Sequence, residues 1–406
     1  MRHPSGSRYK IETLPKEILW FSQMFGGFPI KYAIDANGNR RLKFSPLVFS
    51  WGVIVVIVQS VVLMMWLGMI YKEAFSGLKV EVVSNTTLLV VTLDVLSLTL
   101  MILVVFASYL RKFKTFIAVC ELLEKVDESL QQKMYGFRTR LRVLIIFLFT
   151  VIILTYSAIT EYKRPLFQEI KLLEVFRSVI SHIPIVNVYC TQSALFVHFT
   201  YITNTIAKRF KINNARIKQE VTRRCLINQC LPSEETKSSP LDDSSKCELK
   251  VLVDNYWLLC DAVHLANDFY CDQLLVTVLS SFCHITIALY YLIVHITTGD
   301  SMYITNDGAW VLFHILHLIL LIRPSTEVTE SAEATAPTVC KLINMCTDST
   351  LTRQLESFLL QLPNHNARFC ALGFFDLNNE TLTSMAGVVT TYVVILFQFQ
   401  SQNQTL

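Results

Sequence analysis

Charged residues are scarce in this chain. Asp, Glu, Lys and Arg make up 17% of its 406 residues, whereas soluble domains carry about 25%. Hydrophobic residues make up 52%, and the mean hydropathy is +0.43. A deficit of charge along the whole length excludes an ordinary soluble domain and predicts an all-α membrane protein that crosses the bilayer several times.

Motifs of catalysis and of nucleotide or metal binding are also lacking. The sequence has no Gly-rich phosphate loop, no kinase signature and no cysteines at the C-x-x-C spacing of zinc sites. We therefore expect a protein that is not an enzyme, with no cofactor, no bound metal and no nucleic-acid partner. The first 45 residues are mostly polar, and no secretory signal peptide is expected among them.

Seven stretches are apolar enough to cross the hydrocarbon core, which takes about 20 residues of helix. The second and the sixth each contain one carboxylate, Asp94 and Asp307, and the other five contain no charged residue. We number these predicted segments in chain order: 46–70, 86–110, 143–160, 178–203, 273–298, 301–322 and 381–399.

Basic residues are distributed unevenly between the two sides of these segments. Of the 36 Lys and Arg residues, 29 fall in the N-terminal part and the even-numbered connections, six fall in the other connections and one lies at a helix edge. Since basic residues favour the cytoplasmic side, we predict a cytoplasmic N-terminus and an extracellular C-terminus in the plasma membrane. Asn85 and Asn403 begin glycosylation sequons on the predicted outer side, whereas the sequon at Asn379 falls inside.

The predicted segments and their orientation divide the chain into four parts. The first six helices are expected to hold a ligand pocket, and helices on the cytoplasmic side are expected to form an anchor layer. The parts are 1–45 (cytoplasmic), 46–322 (helices one to six), 323–380 (anchor helices) and 381–406 (helix seven and an extracellular tail).

Three stretches outside the segments have recognisable patterns. The connection 204–272 has two helical flanks around 229–248, which is rich in Ser, Pro, Asp and Glu and is predicted to be disordered. Residues 14–30 are predicted to form an amphipathic helix at the membrane interface, broken by glycines. In the sixth connection an apolar stripe at helical spacing must be buried, either within the chain or against another subunit. The stripe consists of Leu351, Leu355, Phe358, Leu359 and Leu362.

Polar and aromatic side chains recur at similar depth in segments two to six. Such groups are functional candidates, because burying them in lipid is costly. A single one is more often a hydrogen-bond partner between helices, but the group together predicts a pocket that opens to the outside. Its predicted members are Asp94, Tyr156, Asn187, His284, Tyr291, His295, Trp310 and His314.

The seventh segment carries Thr and Gln side chains along one face. They recur at helical spacing, and a helix that faced only lipid would not keep this polar line. Several identical helices around an axis would instead form a pore, which an apolar constriction can close near its outer end. The predicted pore and gate residues are Thr391, Val394, Ile395, Gln398 and Phe399.

The stretch TYVVILFQF at 391–399 resembles the C-terminal signature of insect gustatory receptors, in which Thr-Tyr is followed by five hydrophobic residues and Gln-Phe. The preceding residues 367–390, and ESAEATAPTVCKLI at 330–343, are similar to the corresponding parts of that family. The resemblance implies a homo- or heterotetramer with related receptor subunits that acts as a cation channel gated by a small-molecule tastant. It also implies that helix seven lines the pore and that each subunit has a ligand pocket in its outer half.

Several alternatives remain at this point. The ligand is open between bitter-type, fructose-type and orphan classes, and Val393 and Val394 disfavour the main sugar clade, which often has an acidic residue soon after Thr-Tyr. An odorant-type channel of the same superfamily is the nearest rival. A G-protein-coupled receptor would need an outside N-terminus, and a transporter would show paired halves with broken helices.

Overall fold

The computed structural model describes residues 14–34, 40–75, 85–131, 145, 148–153, 155–156, 172–230, 240–346 and 348–403. Within these ranges the chain is mainly helical. Its helices are α1 (Lys16–Met24), α2 (Pro46–Phe75), α3 (Asn85–Leu130), α4 (Leu172–Cys230), α5 (Pro240–Thr298), α6 (Ser301–Glu333), α7 (Thr335–Met345), α8 (Ser349–Gln361) and α9 (Asn379–Asn403), and its strands are β1 (Ile30–Ile34) and β2 (Arg40–Phe44).

Five of the described helices are long and apolar enough to cross a membrane. These spans lie in α2, α3, α5, α6 and α9 and correspond to the first, second, fifth, sixth and seventh predicted segments. Half of the third segment, 143–160, lies outside the described residues. The fourth segment, 178–203, lies within the continuous helix α4, which is not among the five.

Helices α4 and α5 continue far beyond the length of a membrane span. Each has 59 residues, which at 1.5 Å per residue is about 90 Å. Both flanks of the connection 204–272 are therefore helical. Because α5 already begins at Pro240, the later part of the stretch 229–248 is also helical, and the prediction of disorder is wrong there; residues 231–239 lie outside the described residues.

The N-terminal part contains a two-stranded antiparallel sheet, so the prediction of an all-α chain is wrong in this respect. β1 pairs with β2, with Ile30 opposite Phe44 and Ile34 opposite Arg40. The tip of this hairpin, residues 35–39, lies outside the described residues.

Residues 14–30 pack into the body of the protein instead of forming a surface helix only. Gly26, at φ +81°, turns the chain so close to Val55 of α2 that a Cβ atom there would lie 2.9 Å from its side chain. Two residues later, the ring of Phe28 lies 4.6 Å from that of Phe116 of α3. This segment is therefore part of the core, and its buried apolar residues are Leu14, Ile18, Leu19, Phe21, Phe28 and Ile30.

The apolar stripe of α8 is buried within the chain. The carboxylate of Asp348 caps this helix by accepting a hydrogen bond from the Thr350 backbone N–H at 2.8 Å. The ring of Phe358 then lies 5.4 Å from Tyr256 and 5.6 Å from Trp257, both on α5. We call α7, α8 and the parts of α3, α4 and α5 that run beyond the membrane segments the anchor layer.

A buried ion pair joins α3 to α4 in the anchor layer. Nε of Arg209 donates to Oδ1 of Asp127 at 2.8 Å, and a second guanidinium nitrogen contacts Oδ2. Both side chains are 2% exposed. Arg209 also donates to the Thr205 carbonyl at 3.0 Å. Such paired geometry with an additional hydrogen bond is what allows the attraction to offset the cost of burying two charges.

Replacing Asp127 with Ala is expected to lower the free energy of unfolding by about 3–5 kcal/mol, because the Arg209 charge would stay buried without its partner. The measurement is the melting temperature of the purified protein in detergent. As a control, Glu327→Ala removes an exposed ion pair with Lys211 and should leave the melting temperature nearly unchanged. Equal losses in the two variants would contradict the special role of the buried pair.

Candidate functional site

A cluster of polar and aromatic side chains from four helices lies among the membrane segments. At its centre, Nε2 of His284 on α5 lies 2.9 Å from Oδ1 of Asp94 on α3. The ring of His284 stacks on that of His314 of α6, with centroids 4.8 Å apart. The ring of Tyr189 on α4 lies 4.8 Å from that of Trp310 on α6. We call Asp94, Tyr189, His284, Trp310 and His314 the central cluster.

Helical spacing explains why α6 supplies two members of the central cluster. Trp310 and His314 are four residues apart, so they lie on the same face of the helix, and their rings stack at 5.8 Å. The preceding turn of α5 orients the ring of His284, since its Nδ1 lies 2.5 Å from the Ser280 carbonyl oxygen.

The partners of His284 define the net charge at the centre of this cluster. A carbonyl oxygen only accepts hydrogen bonds, so Nδ1 of His284 carries a hydrogen toward Ser280. Nε2 lies 2.9 Å from the Asp94 carboxyl oxygen, but the geometry of this contact is not that of a hydrogen bond. A protonated His284 beside the Asp94 carboxylate would leave the pair with no net charge. Asp94 is the more accessible member, at 28% exposure against 4% for His284.

Buried polar atoms without a protein partner lie beside the central cluster. Among the described residues, Nδ1 of His314, both ring nitrogens of His317 and both side-chain polar atoms of Gln192 have no hydrogen-bond partner. The ring of His317 lies 4.6 Å from Phe196 and 4.1 Å from Phe313. Because buried polar groups are normally hydrogen-bonded, these atoms are candidate partners for water or for a small polar ligand.

A second group lies toward the turn between α5 and α6, and we call it the outer group. Nδ1 of His295 lies 2.6 Å from Oδ2 of Asp307. The His295 ring stacks nearly parallel to the rings of Tyr291, at 6.3 Å, and Tyr303, at 5.0 Å. His295 is 11 residues beyond His284, or about 16 Å along α5, so the outer group is distinct from the central cluster.

Six of the eight predicted pocket residues fall into these two groups, and two do not. Tyr156 and Asn187 are both half-buried, and no hydrogen bond, ion pair or ring contact among the described residues joins either side chain to the groups. Tyr189, two residues after Asn187, reaches the cluster instead, because two residues rotate the side chain by about 200° around the helix. Its aromatic character at membrane depth was the only signal of Tyr189 in the sequence.

The predicted pore face of α9 is turned away from the rest of the chain. Val389 and Val393 are 5% and 6% exposed and lie on the side of α9 that packs on α5. Val394 and Ile395 are 49% and 39% exposed. The helix therefore has one covered apolar face and one face that nothing in the described chain covers.

The other predicted pore residues of α9 are also exposed where the structure describes their side chains. Thr391 is exposed and its hydroxyl donates to the Gly387 carbonyl at 3.0 Å, and Gln398 is also exposed. The side chain of Phe399 lies outside the described residues. The two predicted glycosylation sites lie at helix ends: Asn85 is the first residue of α3 and Asn403 is the last of α9. Their side chains are also not among those that the structure describes.

A family model described as 7tm chemosensory receptor matches residues 16–403, nearly the whole chain. The chain belongs to this chemosensory receptor family. The receptor is therefore a multi-pass membrane protein, and its family is one of receptors and not of enzymes.

The receptor is similar to gustatory receptors of Drosophila melanogaster. It is 30% identical over 156 residues to the gustatory receptor for sugar taste 43a, 24% over 227 residues to the putative gustatory receptor 28b, and 25% over 178 residues to the gustatory receptor for bitter taste 66a. These matches cover 38%, 52% and 42% of this chain and 36%, 48% and 34% of those receptors. The matched parts span less than half of each relative, and both sugar and bitter receptors are among them, so similarity does not determine the ligand class.

The fold of the receptor is also that of a solved insect chemoreceptor. The olfactory receptor OR5 from Machilis hrabei superposes with a TM-score of 0.66 over 95% of this chain and 97% of that one, at 13% identity. Its structure in complex with eugenol gives a TM-score of 0.65 at 12% identity. At this level of identity the similarity shows the fold alone.

The contact between Asp94 and His284 predicts energetic coupling. Asp94→Asn and His284→Gln should each lower the melting temperature, and the double variant should lose less than the sum, because each single change leaves the other group poorly paired. A coupling free energy of about 0.5–3 kcal/mol is expected for residues in contact. Combining Asp94→Asn with Glu327→Gln, a distant carboxylate-to-amide change, should be additive. Additivity in the first cycle would contradict the contact.

Proposed function

We propose that the receptor is a subunit of a nonselective cation channel that a small-molecule tastant opens directly. The observation that carries this proposal is the uncovered face of α9, where Val394 and Ile395 are exposed beside Thr391 and Gln398. Polar side chains on a helix in contact with lipid alone are unfavourable. A face of this kind is favourable when it lines a water-filled path.

In a tetramer of identical or related subunits, the uncovered faces of the four α9 helices would face one another around a common axis. The exposed residues of α9 would then form the wall of a central pore, with Val394, Ile395 and Phe399 as an apolar constriction and Gln398 as an amide ring. A ring of apolar side chains closes such a pore by excluding water. Ligand binding would open it by separating the helices.

The orientation that we propose has seven crossings of the plasma membrane, with the N-terminus in the cytoplasm and the C-terminus outside. It is supported by the 29 basic residues on one side against six on the other. In this orientation the outer group lies near the outer end of the membrane segments, the central cluster lies near the middle of the membrane, and the anchor layer lies in the cytoplasm. A ligand would therefore reach the pocket from outside.

For the ligand, we propose an uncharged small molecule with several hydroxyl groups. In this proposal His284 is an imidazolium paired with the Asp94 carboxylate, so the pair has no net charge, and the carboxylate of Asp307 faces His295. A cationic ligand would then find no unmatched negative charge in the described pocket. The Asp94 carboxyl is 28% exposed and can accept a hydrogen bond from a hydroxyl group, while Tyr189, Trp310 and His314 offer ring faces. A tastant with a fixed positive charge fits this chemistry less well.

The channel proposal is tested with two adjacent valines of α9. In outside-out patches held without GTP, an active tastant should evoke current, and a cationic thiosulfonate reagent should block that current in Val394→Cys. Val393→Cys makes the same change on the covered face and should be insensitive. The proposal is wrong if responses require G proteins and no direct conductance appears. Equal sensitivity of the two variants would contradict the assigned pore face.

The ligand proposal is tested with His284→Gln, which leaves the Asp94 charge unmatched. A panel of uncharged polyols and permanently charged quaternary amines should show that the unmodified receptor responds to polyols only. The variant should lose sensitivity to polyols by at least tenfold and gain relative sensitivity to the amines. Glu327→Gln, which changes charge far from the pocket, should respond like the unmodified receptor at equal surface expression. Responses of the unmodified receptor to amines alone would contradict the proposal.

A further inference from the structure

Two thiols from distant parts of the chain meet in the anchor layer. Sγ of Cys225, near the end of α4, lies 3.0 Å from Sγ of Cys346, which caps the C-terminal end of α7, and the two residues are 121 positions apart. A disulfide bond is about 2.05 Å long, so the sulfur atoms need to approach by about 1 Å. No other pair of cysteines among the described residues is in contact.

The backbone around this pair allows the approach. Cys346 lies in the turn between α7 and α8 and has an extended conformation, with φ −85° and ψ 131°. A small rotation in this turn can bring its sulfur to Cys225 without bending either helix. The two thiols also differ in environment, since Cys225 is buried and Cys346 is half-buried.

We propose that Cys225 and Cys346 form a redox-responsive site, in which a peroxide converts the two thiols to a disulfide that ties α4 to the turn between α7 and α8. The proposed topology places the pair in the cytoplasm, where disulfides are transient and regulatory and not structural. A cellular dithiol reverses the step, because it is oxidised to its own disulfide and reduces the protein disulfide to two thiols.

The reaction uses the two sulfurs in different roles. Burial, followed by the hydrogen bond and charge of Cys225, raises the pKa of the Cys346 thiol to about 12, so Cys346 stays a thiol beside the Cys225 sulfur. The sulfur of Cys225 attacks one oxygen of hydrogen peroxide, which gives a sulfenic acid, and the Cys225 proton leaves with the displaced oxygen as water. Cys346 then attacks the sulfenic sulfur, and its proton leaves with the displaced oxygen as water. Together, two thiols and one peroxide give one disulfide and two waters.

The test is peptide mapping of the full-length receptor in membranes. Samples are treated with hydrogen peroxide, alkylated while denatured and digested with trypsin, with and without dithiothreitol. The expected product links residues 225–237 to residues 342–353, appears only after peroxide and disappears with dithiothreitol. Absence of this product at peroxide levels that oxidise the exposed thiol of Cys340 would overturn the proposal.

Three substitutions assign the link, because residues 225–237 also contain Cys230. Cys225→Ser and Cys346→Ser should abolish it, whereas Cys230→Ser should retain it at the unmodified yield. A link that persists in Cys225→Ser would assign the reaction to Cys230 and overturn the proposal, and so would a product that joins two chains. Oxidation should also raise the melting temperature of the unmodified receptor but not that of Cys225→Ser, and an equal rise in both would likewise argue against the link.

Discussion

The ion pair between Asp127 and Arg209 is the constraint on which the positions of the other functional residues depend. Both charges are buried and bonded at two points, so sliding α3 along α4 by one residue would leave two unpaired charges out of water. Arg209 and Tyr189 are 20 residues apart on one continuous helix, or about 30 Å. The register fixed in the anchor layer therefore also fixes the height of Tyr189 opposite Asp94 in the membrane.

Much of the architecture follows from hydrophobic periodicity, because a helix must bury its apolar face wherever it lies. This is why the stripe of α8 could be predicted before its partners on α5 were known. The β1–β2 hairpin was missed although an Asn-Gly pair, a hairpin signal, lies between residues 30–34 and 40–44. Pairs such as Asp127–Arg209, which are 82 residues apart, depend on tertiary packing that no local pattern contains.

Members of the candidate site could be predicted where a polar side chain stood out at membrane depth. They could not be predicted where the rotation of a helix determines which residue faces the cluster. Asp94, His284, Trp310 and His314 stand out because each is polar or amphipathic within an apolar segment. Asn187 stands out in the same way, yet the rotation of α4 directs Tyr189 to the cluster. The rotation of a buried helix is set by all of its neighbours, so a single sequence gives the helix but not the face.

In the proposed channel, α5 provides a direct physical connection between the pocket and the pore helix. His284 of α5 belongs to the central cluster, and two residues earlier the ring of Phe282 lies 6.0 Å from that of Tyr392 on α9. Two residues apart on a helix face nearly opposite directions, so one turn of α5 contacts the ligand site on one side and α9 on the other. A ligand that displaces His284 must move this turn, and densely packed side chains transmit such shifts because they cannot be compressed. The ring of Tyr392 is 51% exposed and touches α5 through Phe282, so in the proposed channel it lies where a movement of α5 would reach α9.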